Sequence, residues 1–91
     1  MKRFGTFETH ARLVERMATT LGVDLEERAQ RGEEPSEEHA VERVYRCMSC
    51  TEPELCTRFL DLHRDLDVTA AEAPPYCRNR AELQGLADGS S

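Results

Sequence analysis

The sequence predicts an all-α fold, a small bundle of four to five short helices stapled by a four-cysteine metal site, and three observations carry the helices. Apolar residues recur at spacings of three and four in several separate stretches, which is the period of one helix face. Each stretch is opened by a residue suited to cap a helix: Thr6, Asp24, Ser36, Thr51 or Asn79. No stretch alternates apolar and polar residues as a half-buried strand does, and no internal repeat is visible.

The first helix is expected from Phe7 to about Leu21 behind Thr6, with His10, Leu13, Val14, Met17 and Leu21 on one face and Gly22 as its stop. His10 on that stripe reads as a partly buried core residue rather than a ligand. Asp24-x-x-Glu27 is a capping box that opens a short helix ending at Gly32. Only Leu25 and Ala29 give that helix an apolar side, so it packs weakly. Glu33-Glu34-Pro35 is a break, and the charged neighbourhood from Glu26 to Glu38 reads as a solvated face.

Ser36 caps the third helix, where Glu37 and Glu38 in the first turn suit the helix dipole. Its expected buried stripe is Ala40, Val41, Val44, Tyr45 and Met48. The fourth helix follows a Thr51 cap, with Pro53 in the first turn, where a missing N–H costs nothing. It runs to about Arg64, with Leu55, Phe59, Leu60 and His63 along one side. Residues 65–73 carry no clear pattern, and Pro74-Pro75 predicts an extended approach to Cys77. Asn79-x-x-Glu82 is expected to cap a last helix holding Leu83 and Leu86, with the ends, about 1–5 and 88–91, fraying.

At 91 residues the chain is read as a single domain, 1–91, whose core is marginal without a cross-link. A metal that binds only the folded state supplies such a cross-link. The formal charge of −6 argues against a nucleic-acid partner, which calls for a basic excess. No apolar run approaches membrane-spanning length, and no apolar segment follows Met1-Lys2-Arg3 as in a secretory leader. The expected location is therefore cytoplasmic, where thiols stay reduced, and two structural disulfides become the weaker use of the cysteines.

Those cysteines are the candidate site: Cys47-x2-Cys50-x5-Cys56-x20-Cys77. Four thiols suit a tetrahedral zinc ion, an iron–sulfur cluster or two disulfides. Cys47 ends one predicted helix, Cys50 lies in the turn, Cys56 begins the next helix and Cys77 arrives on a proline-stiffened strap. N–H groups at the start of the fourth helix favour negative charge there. Structural zinc sites commonly pair two close knuckles, whereas only one close pair exists here. The spacing thus favours a [4Fe-4S] cluster on Cys47, Cys50, Cys56 and Cys77, with zinc as the alternative.

Arg46, Arg58, Arg78 and Arg80 near the cysteines either offset a cluster's charge or pair with the many carboxylates. His10, His39 and His63 are possible substitute ligands, none of them required. A thiol-relay role finds little support, because Cys47-Met-Ser-Cys50 lacks a βαβ context.

The stretch Arg46-Cys-Met-Ser-Cys-Thr-Glu-Pro-Glu-Leu-Cys-Thr-Arg-Phe-Leu60, followed by Pro74-Pro-Tyr-Cys-Arg-Asn79, resembles a family of short bacterial proteins known only as a domain of unknown function. The resemblance extends over nearly the whole chain, including Leu21-Gly-Val-Asp24, and it implies a four-cysteine domain without implying an activity. Locally, C-x2-C-x5-C leading into a helix is similar to the cluster-binding core of WhiB-like regulators, which hold a [4Fe-4S] cluster with four cysteines. In those proteins the fourth cysteine precedes the triplet, whereas Cys77 follows it. Their glycine-rich turn and basic tail are also missing here. The resemblance implies a cluster and no role in transcription.

The function expected from these readings is a small iron–sulfur protein, acting in electron transfer or in redox, oxygen or iron sensing through a protein partner. The alternative is a structural zinc-binding adaptor that mediates protein–protein interaction. No serine–histidine–acid arrangement, phosphate loop or catalytic carboxylate pair points to an enzyme.

Overall fold

The computed structural model describes residues 6–34 and 36–89. Five helices follow in order: α1 (Phe7–Thr20), α2 (Leu25–Gln30), α3 (Glu37–Met48), α4 (Pro53–Leu66) and α5 (Arg80–Gly89). No strand occurs among the described residues. The expected fraying falls partly outside them, at 1–5 and 90–91, while Asp88 and Gly89 are helical.

The first helix is the hub, and each of the other four packs against it. The Thr6 hydroxyl accepts from the Thr9 amide at 3.0 Å, which satisfies one of the orphan donors at the helix start. Leu13, Met17, Ala18 and Leu21 then build the core together with Val23, Cys56, Leu60, Ala70, Ala73 and Leu83. The helix closes where Gly22 takes φ +88, so that its own amide reaches Thr19 O at 2.9 Å and the Val23 amide reaches Ala18 O at 2.8 Å. The same two-bond closure ends α2 around Gly32. It recurs after α4 with Asp67 at φ 55, where glycine would be the easier residue.

Several local expectations give way to tertiary contacts. Tyr45 is exposed rather than buried, and its ring packs edge-on to Phe7 with centroids 5.7 Å apart. In its place Arg43 turns inward with only 3% of its surface exposed. Leu55 is exposed while Cys56 and Leu60 face the core. The cap residue of α4 is Glu52, whose side chain makes no cap bond, so Thr51 does not take that role. The strap is not extended: the Cys77 amide bonds Pro74 O at 3.1 Å, which closes a tight turn.

Asn79 does not cap α5, because α3 takes both ends of its amide. Its Nδ2 donates to Arg43 O at 2.8 Å and its Oδ1 accepts from Arg46 Nε at 2.8 Å. Around it lies a network of charges. Arg43 donates to Glu82 Oε2 through Nη2 at 2.6 Å and Nε at 2.9 Å, and to Glu34 Oε1 through Nη1 at 2.9 Å. Arg46 Nη2 reaches Glu82 Oε1 at 2.6 Å, and His39 Nε2 lies 3.1 Å from Glu82 Oε2. Burial works to raise the Glu82 carboxyl, but the Arg43 hydrogen bond and charge, helped by His39, hold it below the usual range. The network fixes α5, and with it the strap, against α3.

Candidate metal centre

The four cysteines stand on α3, the connection after it, α4 and the turn before α5, and Cys47 and Cys56 meet α1 at His10 and in the core. Cys47 lies in the last turn of α3, Cys50 in the connection, Cys56 in the first turn of α4 and Cys77 in the turn before α5. None is disulfide-bonded. Cys56 is buried and the other three are half-buried.

Their proximity registers as electrostatics. Burial, then the charges of Cys56, Cys77 and Cys50, push the Cys47 thiol up to about 12. Burial, then Cys77 and Cys50, push Cys56 up to about 11, with the Arg16 cation pulling it back. Burial also raises Cys77, opposed by the Asn79 backbone N–H and reinforced by Cys50. The Tyr76 phenol borders the same group and is raised to about 12 by burial and by the charges of Cys56, Cys50 and Cys77. As free thiols, then, these groups keep their protons at neutral pH. That is the reverse of a nucleophilic cysteine, whose pKa is lowered.

Three of the sulfurs nonetheless have a group beside them suited to a thiolate, and the fourth, Cys56, feels a cation's charge. Cys50 Sγ lies 3.4 Å from the Glu52 amide, which donates to it. The Asn79 amide serves Cys77, and the Arg16 charge serves Cys56. Cys47 Sγ is 3.3 Å from His10 Nδ1. His10 is 1% exposed, so it is more deeply buried than its place on the stripe suggests, and it touches the candidate site. His10 is among the possible substitute ligands read from the sequence, whereas Arg16, on α1 and more than thirty residues from the nearest cysteine, carries no such signal.

The arginines near the cysteines in sequence are placed differently. Arg46 is held by Glu82 and Asn79, while Arg58, Arg78 and Arg80 are exposed. His39 belongs to the Glu82 network, and His63 Nδ1 lies 2.8 Å from Phe59 O within its own helix. Their hydrogen bonds thus go to groups other than the thiols.

The donor set fits a thiolate-bound group in chemistry and neighbourhood, though the thiols are not drawn together. Among the described residues no three His, Cys, Asp or Glu side chains are grouped to hold a metal ion. A zinc ion at about 2.3 Å from each sulfur requires sulfurs about 3.8 Å apart. Cys50 Sγ instead donates to Tyr76 O at 3.7 Å.

A family model spans residues 1–89 of the chain. The chain belongs to DUF6455, a family of unknown function. No curated protein and no solved structure matches it. Among the described residues of this DUF6455 protein, no helix is long and apolar enough to cross a membrane.

Proposed function

We propose that this DUF6455 chain is a small iron–sulfur protein in which Cys47, Cys50, Cys56 and Cys77 hold a [4Fe-4S] cluster, acting in electron transfer or redox sensing through a protein partner in the cytoplasm. The observation that carries this reading is that three of the four sulfurs, those of Cys47, Cys50 and Cys77, each have an N–H donor or ring nitrogen beside them, while Cys56 lies in the field of Arg16. Such a shell has little use around neutral thiols and stabilises thiolates. A cluster of this type gains or loses one electron. The chain's part is to release four thiol protons on loading, to hold the sulfurs with the α3–α4 connection and the strap, and to offset their charge with Arg16 and the amides of Glu52 and Asn79.

A second reading, a zinc-stapled adaptor domain, is favoured by one contact. His10 Nδ1 beside Cys47 Sγ offers the mixed nitrogen and sulfur donors that zinc accepts.

Anaerobic purification of the untagged protein, followed by metal and acid-labile sulfide analysis, separates the two. The cluster reading expects a brown protein with about four iron and four sulfide per chain, and a Cys77→Ser variant that loses most of both. About one zinc without sulfide would replace it with the adaptor reading. A colourless protein without bound metal after reconstitution would overturn both.

A further inference from the structure

The outer face of α4 carries an apolar stripe that the fold leaves uncovered. Cys56 and Leu60 turn into the core, while Leu55, Leu62 and Leu66 are 45%, 55% and 61% exposed; Phe59 between them is half-buried, one side packed against the core and against His63 and the rest exposed. Positions 55, 59, 62 and 66 are separated by four, three and four residues, the alternation of a heptad seam. They therefore form one narrow stripe about 16 Å long at 1.5 Å per residue. Among the other helices α4 packs only against α1, which lies on the Cys56–Leu60 side. The stripe sits about a quarter-turn away from that contact.

The charges beside it say what fits. Arg58 and Asp65 are seven residues apart, so they share the edge of the stripe that faces away from the core. Both are exposed, and among the described residues the Asp65 carboxylate pairs with the adjacent Arg64 Nε, at 3.2 Å. A second copy of α4 laid antiparallel puts its Asp65 opposite Arg58 and its Arg58 opposite Asp65, two ion pairs from one symmetric contact. The same alignment sets Leu55 against Leu66 and Phe59 against Leu62, each twice. A parallel copy instead places the two Arg58–Asp65 edges on opposite sides of the seam, so neither ion pair forms.

We propose that this chain self-associates into an antiparallel two-fold dimer through the Leu55–Phe59–Leu62–Leu66 stripe of α4. The apolar stripe offers on the order of 300–400 Å² per copy, about half of the ~800 Å² per partner of a standard stable interface. The dimer is accordingly weak and concentration-dependent, with dissociation on the order of 100 μM. The proposal is independent of any metal, because the stripe and its charges belong to residues that the thiol site does not use.

Sedimentation equilibrium of the protein as purified, across roughly two decades of concentration around that midpoint, provides the test. The weight-average mass is expected to climb from 10.4 kDa towards twice that value. Leu62→Glu, placed at an exposed position so that circular dichroism and melting stay unchanged, should hold the monomer mass throughout. Arg58→Asp and Asp65→Arg should each weaken association about tenfold, and the double swap should restore it. A wild-type mass of 10.4 kDa at every concentration overturns the proposal. So does association that survives Leu62→Glu. Association that is lost with Leu62→Glu but indifferent to both charge variants overturns the antiparallel geometry.

Discussion

Two buried polar clusters share α3 and the segment leading into α5, and they are built on opposite terms. In the first, Arg43 and Arg46 meet Glu34, Glu82 and Asn79 with charges of both signs, and the geometry is settled by hydrogen bonds of 2.6–2.9 Å. In the second, burial and then the charges of neighbouring thiols tighten the hold of Cys47, Cys56 and Cys77 on their protons. The first cluster is balanced in charge by the chain's own side chains, with Glu34 Oε2 left to an ion pair with Arg28 Nε at 3.6 Å and no hydrogen bond. The second is a set of like groups that a cation would reconcile. A polar group buried with its counter-charge serves the fold, whereas buried like groups within reach of donors point to something the chain takes up.

That contrast can be broken most forcefully at Arg43. Arg43→Met leaves Glu82 and Glu34 without their main buried partner and should cost about 3–5 kcal/mol. Chemical denaturation should find the loss equal in metal-free and metal-loaded protein. A loss confined to the loaded form would mean that the two clusters are one system.

The pH dependence of the metal-free protein sharpens the comparison, because the clusters fail at opposite ends. Glu82 has a folded-state pKa held below its unfolded value near 4.5. Its contribution is therefore full above that value and is lost as pH falls through the lower, folded one. Cys47 and Cys56 are raised from 9.0 to about 12 and about 11. Stability tied to them is complete below pH 9.0 and drains away as pH rises towards those values. Thermal melts across pH should show Glu82→Gln flattening only the acid limb, and Cys47→Ala only the alkaline limb.

A smaller effect is expected at Arg16, which bonds Asp61 at 2.8 Å and pulls the Cys56 proton affinity down. The ion pair is largely solvent-facing, so Arg16→Met should change stability by no more than about 1 kcal/mol. The same variant should slow alkylation of Cys56 in metal-free protein and leave that of Cys50 unchanged. Smallest of all, Asp67→Gly relieves a left-handed residue and should add about 0.5–1 kcal/mol. It touches neither cluster and serves as a control for both.

The helices were legible because their signals are local. Thr6, Asp24 and Ser36 cap where they stand, and Gly22 and Gly32 stop the first two helices. Asn79-x-x-Glu82 has the form of a local cap too, yet partners on α3 outcompete it: the α5 start is anchored through Arg43 and Arg46 instead. Nothing local marks Arg43 for burial, because its partner Glu82 arrives from 39 positions away. The candidate site divides in the same way. Its four cysteines are visible as spacing, but His10 and Arg16 reach it only through the packing of α1, which spacing does not record.

The division of the thiols, three within ten residues and one a further twenty-one along, also sets an order of events. Closing the short loop from Cys47 to Cys56 restrains few residues, whereas bringing Cys77 home requires α4 and the segment after it to be in place. A nascent or partly unfolded chain therefore assembles three of the four sulfurs early and the fourth late. Departure runs the other way: the strap bearing Cys77 is the latch, and its release rate, rather than the affinity of the triplet, governs how long anything held there stays.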